Sequence, residues 1–373
     1  MSMLILLLGN PLNHEGGMVE FNKGLISTLN SKAKNYKLQH FSIGSRMSLF
    51  YYPILKRIVY PLLLFIDLFR LSFKLFNRDI KVLQLNPSLI PVPLIRDGVV
   101  QILNRCLFKK KTIVVLHGWK QHVFEKIMNN KLYYVLTKQF FKSADIIFVL
   151  SEEFKTKLIS VGVEGSRIKV TTTFFYKDAI HELSLNKSND SKVNFIYLGR
   201  VSKLKGVYEL IKAFEIVACK YNNFVCQIVG HGDKPNTLVH YRSLIEDLQL
   251  QGKILILGRK TGIEKYKLLS LSDVYILPSY MEGCPTTAIE AMASGLFTIS
   301  TDVGALDDII NDFNGIKVKP KQIIELAEGI MKSIDEIETL RARKKQIAQN
   351  ALNNYEVNQI ASQFHEVYSS LIS

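Results

Sequence analysis

Cysteine is scarce in this 373-residue chain. Its four residues, Cys106, Cys219, Cys226 and Cys284, form no CxxC pair and fit no zinc-site spacing. This excludes a disulfide-stapled scaffold and predicts reduced thiols of the cytosolic kind. Long uncharged apolar runs are also missing, and none reaches the ~18 residues of a membrane span. Residues 4–8 are apolar but follow Met1 without a basic segment or a small-residue cleavage site, so no signal peptide is expected. No helix-turn-helix, RRM or zinc-finger pattern occurs, which argues against nucleic acid as a partner. The glycines after the first apolar run are not spaced GxGxxG, so a dinucleotide fingerprint is unsupported. What is present is a globular composition, 47% hydrophobic and 22% charged, with a length that suits two domains.

The net charge of +15 is unevenly spread. Residues 1–185 hold 26 Lys/Arg against 12 Asp/Glu, a balance of +14, whereas residues 186–373 hold 22 against 21. A basic half beside a neutral half implies different partners for the two. Residues 46–78 are rich in Leu, Phe, Ile and Tyr but interrupted by Lys56, Arg57, Asp67, Arg70 and Lys74. Charges at that frequency forbid spanning a bilayer. The mixture suits the headgroup layer of an anionic membrane, or else a buried helix pair with a solvated edge. Pro53 and Pro61 argue against one continuous helix there.

Short apolar runs at 4–8, 82–85, 112–116 and 146–150, then at 194–198, 225–229, 254–257, 274–277 and 297–300, read as buried strands. Helix-like stretches at 21–30, 131–141, 208–221, 238–248 and 286–293 alternate with them. The alternation predicts an α/β protein with parallel sheets covered by helices on both faces. A polar stretch within 177–192 marks the linker between a first domain, 1–180, and a second, 192–354. Apolar spacing in the tail predicts a helix over 355–373 that packs back on the first domain.

Four segments carry chemistry, each at the end of an expected strand. In LLLGNPLNHEGGMVEF, residues 6–21, Gly16 and Gly17 open a helix whose N–H groups can approach an anion. A tight strand-to-helix turn explains the pair equally well. GRVSKLKG, residues 199–206, places Arg200 and Lys205 where a diphosphate could be clamped, unless the run is simply a solvated basic loop. PSYMEGCPTTAIEAMASG, residues 278–295, puts Glu282 in a loop and Glu290 in the following helix, eight residues apart. Two such carboxylates can reach different hydroxyls of one ligand, and the N–H groups of Cys284, Thr286 and Thr287 face a phosphate or sugar oxygen. Glu290 could alternatively be a helix carboxylate paired with a neighbouring base. His117 follows the 112–116 run, where an imidazole can bond a substrate hydroxyl or support a leaving phosphate, although a lone histidine is more often structural.

Together these residues resemble the retaining family 4 glycosyltransferases of the GT-B fold, most strongly over 194–319. The resemblance implies two Rossmann-like domains with parallel sheets facing a central cleft. It implies that Arg200 and Lys205 neutralise the diphosphate of a nucleotide-sugar donor, that Glu282 contacts the transferred sugar, and that Glu290 bonds the ribose. Gly232 in Gly230-His231-Gly232-Asp233 matches a glycine turn of the family, Arg259 and Lys260 lie where the base stacks, and Gly16, Gly17 and His117 match donor-facing positions of the first domain. Cys284 replaces a usual aromatic residue, and Leu296-Phe297 follows Gly295 where Gly-Xaa-Pro is common. No Asp-x-Asp occurs, so the resemblance implies catalysis without metal or other cofactor. The expected acceptor is a lipid-linked saccharide, bound by the basic half at the inner face of the cell membrane during surface-polysaccharide or lipopolysaccharide assembly. A nucleotide-sugar 2-epimerase and a non-catalytic peripheral membrane protein are the alternatives.

Overall fold

In the computed structural model, which describes residues 3–14, 16–43, 53–181 and 191–372, the strands are short, buried and parallel. The first sheet contains β1 (Met3–Gly9), β2 (Tyr36–Ser42), β3 (Ile80–Leu85), β4 (Lys111–Val115), β5 (Ile146–Val149) and β6 (Ile168–Val170), in the order β2-β1-β3-β4-β5-β6. Its helices are α1 (Gly17–Lys32), α2 (Pro53–Leu75), α3 (Pro91–Leu103), α4 (Gln121–Met128), α5 (Lys131–Lys142) and α6 (Glu152–Ser160). After α7 (Asp178–His181) comes the second sheet: β7 (Val193–Leu198), β8 (Phe224–Val229), β9 (Ile254–Gly258), β10 (Val274–Leu277), β11 (Phe297–Thr301) and β12 (Gly315–Val318), in the order β12-β11-β10-β7-β8-β9. Its helices are α8 (Val207–Ala218), α9 (Thr237–Asp247), α10 (Gly262–Leu271), α11 (Thr286–Ala293), α12 (Ala305–Ile309), α13 (Ile323–Asp335) and α14 (Ile337–Tyr355). The chain ends in α15 (Val357–Ile372). It divides into two compact units, Met1–Thr172 with Val357–Ser373, and Thr173–Glu356.

The α/β class with parallel sheets is as the apolar alternation predicts, and every expected strand is found. Three further strands, β2, β6 and β12, lie at sheet edges. The helix-breaking expectation for Pro53 and Pro61 is overturned: α2 runs unbroken for 23 residues. Pro53 occupies its first position, where an N–H has no helical acceptor in any case. Pro61 is exposed and costs one backbone bond, a loss that 23 residues of helix absorb. The part of the 46–78 segment before Pro53 lies outside the described residues. No described helix is long and apolar enough to cross a membrane.

In the first unit, α15 turns Ile360, Phe364 and Tyr368 onto α1 and β3. Phe364 stacks on Phe148 of β5 at 4.1 Å between centroids. In the second unit, Asp273, just before β10, accepts a bidentate pair of bonds from Arg341 of α14, at 3.0 and 3.1 Å. The same carboxylate accepts from the Asn194 N–H at 2.9 Å, so one buried acid ties α14 to both β7 and β10.

The loops that follow β7 and β10 touch. Gly206 adopts φ +71°, and a Cβ placed there would sit 1.9 Å from the Pro278 carbonyl oxygen. Backbone against backbone leaves nothing that can rotate away. Gly206→Ala is therefore expected to destabilise the second unit by about 2–5 kcal/mol, combining left-handed strain with overpacking, as read from the urea unfolding midpoint.

Candidate active site

Ligands of open parallel sheets bind at the carboxyl edge where strand order reverses. In the second unit this point lies between β7 and β10, because β8 and β9 extend one side of β7 and β10 joins its other side. The 199–206 and 278–285 loops leave the sheet there. Lys205 Nζ donates to Glu282 Oε1 at 2.6 Å, and the Ser279 hydroxyl donates to the same oxygen at 2.6 Å. Glu282 is mostly buried and Lys205 partly so.

Glu290 repeats the pattern one helix turn deeper. Its Oε1 accepts from Lys265 Nζ at 2.7 Å and from the Tyr266 hydroxyl at 3.0 Å, both on α10. Glu290 thus has the basic partner that an ordinary helix carboxylate would have. It is also buried at the switch point, and among the described residues its Oε2, like that of Glu282, has no bonded partner. Burial and the Glu290 charge raise the Tyr266 hydroxyl above its ordinary pKa, so it stays a donor.

Buried tyrosines set the floor of the site. The Tyr197 hydroxyl donates to the Arg200 carbonyl at 2.6 Å. The Tyr275 hydroxyl lies 2.8 Å from Thr287 Oγ1 and donates to the Leu198 carbonyl at 3.3 Å, so Thr287 donates in turn to Tyr275. Arg200 is exposed, and its guanidinium bonds to nothing among the described residues. Helix α11 starts at Thr286 with Pro285 as its N-cap, which leaves the first-turn N–H groups of Thr286 and Thr287 without helical acceptors.

The other expected residues are more dispersed. Gly232 lies in the loop after β8 and bridges to Val201 of the 199–206 loop. Arg259 and Lys260 follow the edge strand β9, and Lys260 pairs weakly with Glu264 at 3.5 Å. Cys284 is buried with its sulfur accepting from the Thr173 N–H at 3.4 Å, and burial pushes its thiol up to about 11, so it is a packing group and not a nucleophile. Lys265, Tyr266, Tyr197, Tyr275 and Ser279 were not anticipated. The Lys265-Tyr266 pair just ahead of an apolar stretch looks in sequence like any helix start.

Gly16, Gly17 and His117 belong to the first unit, again at a reversal of strand order, here between β1 and β3. Gly16 caps α1, and no atom lies within 4 Å of a Cβ built at either glycine, apart from local chain. His117 Nε2 lies 3.1 Å from Asn86 Oδ1, which also accepts from Gln84, while the Asn86 amide donates to Leu8 O. Asn86 Oδ1 can only accept, so His117 carries its proton on Nε2 and offers a lone pair at Nδ1. Burial pushes the imidazole down to about 4, keeping it neutral.

A family profile described as Glycosyl transferases group 1 matches residues 182–351. The chain is 31% identical over 293 residues to an uncharacterized glycosyltransferase, MJ1059, of Methanocaldococcus jannaschii, covering 76% of this chain and 65% of that protein. It is 26% identical over 267 residues to the N,N'-diacetylbacillosaminyl-diphospho-undecaprenol alpha-1,3-N-acetylgalactosaminyltransferase of Campylobacter jejuni, covering 68% and 67%. A sucrose-phosphate synthase from Thermosynechococcus elongatus superposes with a TM-score of 0.76 at 18% identity, covering 100% and 99%. The Anabaena protein HepE, in complex with UDP-glucose, superposes with a TM-score of 0.70 at 18% identity, covering 99% and 100%. The two-sheet architecture is that of GT-B glycosyltransferases.

Two outcomes follow from this geometry. Lys265→Met strips Glu290 of its charge partner and is expected to cost about 2–4 kcal/mol in urea unfolding. A loss below ~0.5 kcal/mol would make the pair no stronger than an exposed one. For His117 the folded pKa lies below 6.5, so the unfolded chain takes up the proton first as pH falls. The stability it contributes is full above pH 6.5 and is lost as pH falls from 6.5 to about 4. His117→Gln should flatten the melting temperature against pH in that window, so that its difference from wild type is larger at pH 8 than at pH 4.

Proposed function

We propose that this chain, which belongs to the glycosyl transferases group 1, moves a sugar from a nucleotide-diphosphate sugar to a lipid-linked saccharide, with retention of configuration. The observation that carries the reading is the charge arrangement at the β7/β10 switch point. Two carboxylates are each neutralised by a lysine through one oxygen, and one guanidinium stands unpaired.

A departing nucleoside diphosphate concentrates negative charge on its phosphate oxygens, so what matters is the net positive potential the site can supply. The Lys205–Glu282 and Lys265–Glu290 pairs each sum to zero. Arg200 therefore provides the net charge, with the first-turn N–H groups of α11 adding a positive helix end. An ammonium has three donors, so Lys205 can hold Glu282 and a phosphate oxygen together. Glu282 Oε2 would accept from a hydroxyl of the transferred sugar, and Glu290 Oε2 from the ribose. Neutral His117, with its Nδ1 lone pair, would accept from a substrate hydroxyl. In the reaction the bond from the anomeric carbon to the phosphate oxygen breaks. The acceptor oxygen attacks on the same face, and its proton passes to the leaving phosphate. Cationic side chains carry the role that an Asp-x-Asp-bound metal plays elsewhere.

The lipid-linked acceptor draws support from the diphospho-undecaprenol named in the Campylobacter relative, and the donor class from the UDP-glucose in HepE. Both fit a basic first half working at the inner membrane face in surface-polysaccharide assembly. A thermal-shift screen with UDP-, GDP- and ADP-sugars tests the reading, since one class should raise the melting temperature. Arg200→Ala should lower the transfer rate ~10²–10³-fold while the protein stays folded. Absence of protection by any nucleotide sugar would overturn the proposal. Product formed equally with and without acceptor would favour the 2-epimerase.

A further inference from the structure

The outward side of the first unit is apolar where a water-facing helix is normally polar. Helix α2 turns Asp67, Leu71 and Leu75 into the protein and Phe65, Phe69, Phe73 and the adjoining Phe76 out of it. Those four rings are 69–78% exposed. Their spacing aligns them on one face over about 17 Å. With an acid inside and phenylalanines outside, α2 is inverted relative to a helix packed for water.

Helix α3 extends the surface with Ile95 and Ile102, 65% and 63% exposed. The β2-to-β3 and β3-to-β4 connections cross the sheet in the same direction, so right-handed crossovers place α2 and α3 on one side of it. Phe76 meets Phe108, just past α3, edge to face at 5.2 Å. Four phenylalanines of roughly 200 Å² each, exposed by about three quarters, reach the upper end of the apolar patch of an ordinary monomer before Ile95 and Ile102 are added.

The surroundings are basic. Residues 53–111 contain eleven Lys/Arg and three Asp/Glu, and two of the three acids, Asp67 and Asp97, are buried. Arg78, Lys81, Arg105, Lys109 and Lys111 are exposed around the end of the apolar surface nearest Phe76. Partial burial, followed by the charges of Lys81 and Arg78, lowers the Lys110 pKa. Lys111 pairs with Asp145 at 3.1 Å, and the rest of the positive charge is crowded. Two copies of the chain joined through this face would set these cations against each other, whereas an anionic surface neutralises them.

We propose that the α2/α3 face docks on an anionic lipid bilayer, with the α2 axis in the membrane plane, the phenylalanines at the acyl–headgroup boundary and the flanking Lys and Arg on headgroup phosphates. The inference deepens the membrane-side reading above and rests on it. Flotation needs neither donor nor acceptor, so loss of transfer activity and loss of docking are separately visible.

The test is flotation of the full chain with vesicles of phosphatidylethanolamine and phosphatidylglycerol, or of phosphatidylcholine alone, at low and high salt. Wild-type protein should float with the anionic vesicles at low salt and stay behind with phosphatidylcholine. The triple variant Phe65→Ser, Phe69→Ser, Phe73→Ser should lose binding about tenfold or more, with unchanged protection by nucleotide sugar. Should that variant misfold, Phe69→Trp keeps the question open to measurement: its emission should shift to the blue on adding anionic vesicles. Equal flotation of the triple variant, no blue shift, or concentration-dependent dimerisation lost in the triple variant without vesicle binding would overturn the proposal.

Discussion

The salt link between Lys205 and Glu282 joins the loops of two strands that are neighbours in space but 77 residues apart in the chain. The site depends on that union. The loops already meet backbone to backbone at Gly206 and Pro278, so the ion pair does not draw them together. It sets which side chains face the open edge. With Ser279 on the same oxygen, the carboxylate is held by two donors, and its other oxygen has no bonded partner among the described residues. Gly304, at φ +56°, seals the far side, since a Cβ there would stand 2.3 Å from the Glu282 carbonyl oxygen. Glu282 is thus enclosed by three loops, each from a different strand of one sheet.

The motif residues that announce themselves in the sequence are those at strand ends. Arg200, Lys205, Glu282 and Glu290 could be singled out as candidates because each lies in the segment that follows a short apolar run. Their partners were not. Lys265 reaches Glu290 across 25 residues, and no local pattern marks a lysine that will fold onto a distant helix. Tyr197 and Tyr275 were hidden differently, as members of strands whose buried aromatic residues look like core. Only their hydroxyl bonds to Arg200, Leu198 and Thr287 make them part of the site.

The same physics explains which strands escaped notice. An interior strand of a parallel sheet is covered on both faces and reads as an unbroken apolar run. β2, β6 and β12 lie at edges, and their sequences mix Lys, Gln and His with apolar residues because one side of the ladder meets solvent. Helix α2 misled in the opposite direction. Proline counts heavily as a breaker in a short window, yet an exposed one inside a long helix breaks one bond and no more. Apolar residues occupy both sides of α2, and Asp67 faces inward while Arg70 faces outward, so hydropathy alone could not tell its buried face from its exposed one.

The first unit is closed by α15, which buries Phe364 and Tyr368 against elements made about 200 residues earlier or more. During synthesis, residues 3–172 emerge with an apolar groove over α1 and β3 that nothing yet fills. The second unit, although begun later, has all its own residues before that groove is covered. The order of completion is therefore inside-out: the nested segment matures first, and the leading one waits for α15 to leave the ribosome. Throughout that interval the leading segment presents sticky surface, which makes it the part of the molecule with most to gain from a chaperone.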